Sequence, residues 1–393
     1  MDFPLGGIYP SLVDQTRDSD ELLGFVDLHT HPTAHLGFGG QLFYGAPDGN
    51  LPATLAGCQQ FHGDPAVVGP GGNVFRKLVV NAMEGTNAPA DWVHGPDGAP
   101  GFGSWPRWHD RSHQHMWVDW IRRSWQGGLR GIVALAVNNH LLAAAAQCAG
   151  TYDDMSVGTD QINAIHNLID AHPDFMEFAD SAATFRDIVG RGKLAVIIGV
   201  ELDCIGNFYI PRNVDHSHSD FNLTPTDDQI RAEVDRLYGL GVRYVFPVHI
   251  TDNVFGGAAV YNRSFDTANS YTFGNHYQVE PAPGDSLIGY EFTASWLDDA
   301  LTEAQALVAL HFDPGVPPDV PTVSGHRNSR GLMDKGEVLI KDLMDRGMII
   351  DVVHHGCERL DAPRAAEPPK APKRVDALER LREVLALAAA RVA

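Results

Sequence analysis

Cysteine is scarce and scattered. The 393-residue chain holds four, Cys58, Cys148, Cys204 and Cys357, with no Cys-x-x-Cys pair. That speaks against a disulfide framework and against a thiolate zinc knuckle. Positive charge is also short: 29 Lys and Arg stand against 50 Asp and Glu, for a formal net charge of −21. Nucleic acid and anionic membranes require a basic surface, so neither is expected as a partner. Long apolar runs are missing. Gly128–Gly150 comes nearest to a membrane span, but Arg130, Asn138, Asn139 and His140 interrupt it. The segment Met1–Gly24 carries Asp14, Asp18, Asp20 and Glu21 without the basic and apolar pattern of a signal peptide. A cytoplasmic protein is therefore expected. No internal repeat is found.

What is present is a set of short apolar runs. Phe25–His29, Gly131–Val137, Leu194–Val200, Arg243–Val248 and Met348–Val353 are too apolar on both faces to be amphipathic, and read as buried parallel strands. Helical patterns lie between them. Asp160–Ala171 carries Ile162, Ile165, Leu168 and Ile169; Asp227–Leu240 places Ile230, Val234 and Leu237 on one face; Lys335–Arg346 does the same with Val338, Leu339 and Leu343, and Gly347 ends it. Such alternation means a parallel β/α architecture. Two long insertions rich in Gly and Pro, Gly45–Asp110 and Thr251–Thr293, follow strand ends. Loops of this length either cover a site or form a surface elaboration with a small core of their own. Ala362–Ala393 changes character: ten Ala and seven Lys or Arg against four Asp or Glu, opening with a Pro-rich linker and closing with an amphipathic helix pattern. The expected division is a barrel-like domain over 1–361 and a linker with a helix over 362–393.

Chemistry is expected at the C-terminal ends of such strands. The first run ends in His29 and His31, two residues apart and therefore on one face. The others end in Asn138-Asn139-His140, in Glu201-Leu-Asp203, in His249, and in Asp351-Val-Val-His354-His355. Neutral imidazoles with a carboxylate able to bridge form a metal site. Glu201 is the natural bridge. Zinc suits an N/O donor set and hydrolysis, with Mn or Fe as alternatives, and one or two divalent ions. His113 and His115, before a helix at Trp117–Trp125, read more readily as capping or surface groups than as part of the site.

These pieces resemble the amidohydrolase superfamily and, within it, the membrane (renal-type) dipeptidase branch. The matching segments are Val26-Asp-Leu-His-Thr-His31, Leu194-Ala-Val-Ile-Ile-Gly-Val-Glu201, Leu240-Gly-Val-Arg-Tyr-Val-Phe-Pro-Val-His249, and Asn328-Ser-Arg-Gly-Leu332 running on to Gly347-Met-Ile-Ile-Asp-Val-Val-His354. The resemblance implies a TIM-type (β/α) barrel of the amidohydrolase kind. It implies His29 and His31 on a first metal, Glu201 bridging, His354 on a second metal, and His249 at the substrate as an oxyanion donor. The activity implied is metal-dependent hydrolysis of an amide, peptide or related carbonyl bond in a small molecule. Three departures accompany it. The dipeptidases have His-x-Asp where this chain has His29-x-His31; no histidine follows His355; and no acid after it ends an apolar run. About five of eight strands are found. The barrel is therefore expected to be incomplete, with residues past 357–361 outside the family or a second subunit completing it. Two outcomes stay open: a working hydrolase, as monomer or homo-oligomer, or an inactive relative holding at most one metal.

Overall fold

The computed structural model describes residues 22–40, 42–55, 113–145, 153–208, 225–260, 263–281 and 326–352. His354, the 362–393 segment and most of the 45–110 insertion lie outside them. Five strands run side by side in chain order: β1 (Phe25–Thr30), β2 (Leu129–Asn138), β4 (Leu194–Leu202), β5 (Val242–Val245) and β8 (Ile349–Ile350). Every pairing in this sheet is parallel. The sheet curls into a half-barrel, consistent with an incomplete TIM-type barrel. A sixth strand, β3 (Met176–Phe178), takes the first half of the β4 edge and β5 takes the second. Three residues without periodicity gave no sequence signal for β3.

Alternation along the strands makes two cores. On one face Ile132, Ala134, Val196, Ile198 and Val200 pack under helices. These are α2 (Val118–Gln126), α4 (Asp154–Ala171), α6 (Asp227–Gly239) and α8 (Asp334–Asp345), which bury Ile121, Ile162, Ile230 and Leu339. On the other face Val133, Leu135, Tyr244 and Phe246 meet across the curl. Its lower end is closed by α5 (Ala182–Gly190), whose Ile188 and Val189 pack on Ala195. Gly131 permits that approach: a Cβ there would sit 2.5 Å from Phe185 Cζ.

The helices follow the sequence pattern closely. α4 starts six residues earlier than the apolar period suggests, because Asp153 caps it, accepting from the N–H groups of Met155 and Ser156. α6 opens on a Thr226–Gln229 capping box. Two short helices, α1 (Leu51–Leu55) and α3 (His140–Ala145), come after β1 and β2 respectively, and α7 (Arg263–Phe273) lies in the second insertion. That insertion has a core of its own, formed by Val248, Ala258, Val260 and Tyr277. It is tied down by a two-stranded antiparallel ribbon of β6 (Val279–Pro281) and β7 (His326–Asn328). No described helix is long and apolar enough to cross a membrane.

Candidate metal centre

β1 does not run evenly along β2. Asp27 pairs with Ile132 and Thr30 with Ala134, so three steps on one strand match two on the other. The extra residue is a bulge, and it reverses the alternation beyond it. Thr30 then lies opposite Ala134 on the helix-covered side, and His29 and His31 turn to the opposite face. Glu201 occupies that face too, two residues beyond the Leu135–Gly199 level at the Val137–Glu201 pair. Spacing by two residues predicts that the imidazoles share a side. The bulge decides that it is the side of Glu201.

Three imidazoles converge on the one carboxylate. His29 Nε2 and His31 Nε2 lie 3.3 and 3.2 Å from Glu201 Oε2, and His249 Nε2 lies 3.2 Å from Oε1. Glu201 is 3% exposed at its side chain, against 48% for His29. His31 is oriented by a 3.3 Å contact of Nδ1 with the Leu135 carbonyl, and the His29 ring stands edge-on to Phe246. On its far side His249 Nδ1 is 3.2 Å from Asp203 Oδ1. Asp203 is itself held by the Asn139 amide at 2.7 Å and by the Ile250 N–H. Asn253 donates to the carbonyls of Asp203 and Pro247, tying the segment after β5 to the end of β4.

Burial alone would push the Glu201 carboxyl up. The charge of His249, with hydrogen bonds from His249, His29 and His31, instead holds it well below the usual carboxylate range. The hydrogen bond to Glu201 raises His29 against the effect of burial. Burial would lower His249, but the charge of Glu201 and the contacts with Glu201 and Asp203 raise it to about 10. The buried carboxylate thus favours the charged forms of His29 and His249.

The donors fit a divalent cation. His29, His31 and Glu201 each offer a ligand atom within 4.8 Å of the others. Charge-assisted N–H···O⁻ bonds run to about 2.7–2.9 Å, shorter than all three imidazole contacts. Ligands about 2.0–2.2 Å from a tetrahedral ion lie roughly 3.3–3.5 Å apart, close to the 3.2 and 3.3 Å separations of the two β1 histidines from Oε2.

No family model matches the chain. A solved structure is similar to part of it. That structure is a crystallised amidohydrolase from Pseudomonas aeruginosa, at 13% identity and a TM-score of 0.31, over 60% of this chain. The chain spans 42% of that protein's length in the match. The half-barrel and the site stand on the pairings and distances above.

Of the residues expected at the site, His29, His31, Glu201 and His249 come together, and His354 lies outside the described residues. His140 does not join them: it is buried with Nε2 3.3 Å from Asp154 Oδ1. His113 is buried, not a surface group, and lines a cleft with His115, His29 and His31. Asn139, Tyr244 and Asp351 were not singled out as site residues by the sequence. The Tyr244 hydroxyl donates to Asp351 Oδ2, joining the ends of β5 and β8 beside the site. A polar residue within or just after an apolar run is the signal available for them, and it does not say which partner each will meet.

Proposed function

We propose that the chain is a metal-dependent hydrolase of the amidohydrolase superfamily, acting on an amide or related carbonyl bond of a small molecule. The observation that carries this reading is the convergence of His29, His31 and His249 on the two oxygens of buried Glu201. A divalent cation, zinc in the first instance, would be held by His29, His31 and Glu201, with His354 as the ligand proposed for a second ion. Such an ion acts as a Lewis acid on a carbonyl and acidifies water.

The chain's own groups do the rest. His29 and His31 donate ring nitrogens. Glu201, kept ionised, balances the charge of the cation. His249 is fixed between Glu201 and Asp203, and its Nε2–H is the donor proposed for the negative oxygen that develops at the carbonyl. Dipeptides are the first substrates to try, because of the sequence resemblance.

The test is elemental analysis of the purified full chain after loading with Zn²⁺, Mn²⁺ or Fe²⁺ and desalting. At least one ion per chain is expected, falling to near zero in His29→Ala/His31→Ala. His354→Ala should lower the content only if a second ion is present. A chain that retains no metal, or a double variant that retains as much as the wild type, overturns the reading.

A further inference from the structure

A cleft of about 540 Å³ runs along β1 and shares His29 and His31 with the candidate metal centre. His29 and His31 line both, whereas Glu201 and His249 are not among the lining residues of the cleft. The size lies in the range of small-molecule sites, about 300–1,000 Å³. Phe38, Phe43, Met116 and Trp120 contribute much of the lining, and no described lining residue is a lysine or arginine. Asp27, His113, Gln114 and His115 add polar groups to the lining. His35 lines the cleft, and its Nδ1 is buried without a hydrogen-bond partner among the described residues. Burial holds this imidazole down to about 4, so it is neutral near pH 7.

We infer that this cleft is the specificity pocket of the site, taking an uncharged aromatic or branched apolar group. The inference rests on the metal-centre reading for the position of the reacting bond. The physical case is desolvation. A carboxylate moved into the apolar part of this cleft would lose its water, face Asp27 and meet no lysine or arginine among the described lining residues, which is costly. A phenyl group would trade water for aromatic contact. The group that fills the cleft is therefore an uncharged side group and not a terminal carboxylate.

Three hydroxamates that chelate a metal through the same group separate the cleft from the centre. Acetohydroxamate, benzohydroxamate and 4-carboxybenzohydroxamate are titrated by calorimetry into the metal-loaded full chain. Benzohydroxamate is expected to bind about tenfold more tightly than either of the others, the scale set by moving one ring out of water. Trp120→Leu should remove most of that preference without changing metal content. Equal affinities for all three overturn the cleft inference and leave the metal centre standing. Failure of all three to bind counts against the metal centre instead. The cleft is then decided on metal-free protein by saturation-transfer NMR with acetanilide. Transfer that weakens in Trp120→Leu supports it, and no transfer in the wild type overturns it.

Discussion

Asp252 is enclosed in the segment after β5, where its Oδ1 accepts from the Ala258 N–H at 2.9 Å and from the Asn328 amide. Burial pushes this carboxyl up to about 6; the hydrogen bonds and the charge of Arg330 pull it back, and nearby Asp266 adds to the rise. A carboxyl raised in the folded state binds its proton more tightly there than in the unfolded chain, where the ordinary value is about 3.9. Its contribution to stability is therefore full below about pH 4 and is lost as pH rises through 6. Asp252→Asn keeps an oxygen for both donors and removes the ionisation. The unfolding free energy of the variant minus that of the wild type, from urea titrations, should climb between pH 4 and 6 and level off above, with a total rise on the order of 2–3 kcal/mol. The difference isolates this group from others, such as Asp153, whose titration acts in the opposite direction. A flat difference refutes the assignment. The same scale shows why the site was half legible. His29, His31, Glu201 and His249 were readable as polar residues at the ends of apolar runs. Asp203 as the partner of His249 was not, because that contact joins the ends of two different strands.

At the scale of elements, the helices were the most legible feature. Ile162, Ile165, Leu168 and Ile169 recur at helical spacing and are all buried in α4, as are Ile230, Val234 and Leu237 in α6. Gly347 ends α8 in the left-handed region, at φ +66°. Local period carries such information; it does not carry close approach between elements. Gly336 lies in α8 against the loop after β5, and a Cβ there would sit 2.1 Å from the Phe255 carbonyl oxygen. Gly239, at the end of α6, has open space instead. Gly336→Ala is expected to cost at least about 2 kcal/mol through forced backbone movement. Gly239→Ala should stabilise by roughly 0.4–1 kcal/mol through the unfolded chain. Urea unfolding of the two variants checks the contrast, and similar small effects from both would show that α8 and the Phe255 loop do not pack as described. β3, β6 and β7 escaped the sequence because each is three residues long, too short to display a period of two.

At the scale of the molecule, the five-strand path has β1 and β8 at its two ends among the described residues. Apolar side chains stand open there: Leu28 is 55% exposed and Ile349 42%. A closed barrel would bury both. Leu28→Lys should therefore change stability by less than about 0.5 kcal/mol, as surface substitutions do. A loss of several kcal/mol in thermal unfolding would show instead that β1 is covered in solution. The edge also bears on handling, since an exposed apolar edge strand invites association; the same variant is expected to lower light scattering at high protein concentration.

The sequence by itself determined five segments that are strands of a parallel sheet, the helices that cover one face, and the pairing of His29 with His31 on one side of β1. These follow from apolar periodicity and local caps, which neighbouring residues decide among themselves. Only the tertiary structure decided that the side is that of Glu201, through one extra residue between Asp27 and Thr30. It alone brought His249 and Asp203 to the same carboxylate, and opened an apolar cleft behind the β1 histidines. The reason is physical. Register and convergence are set by packing between segments far apart in the chain, and no local pattern records which residue will lie opposite which.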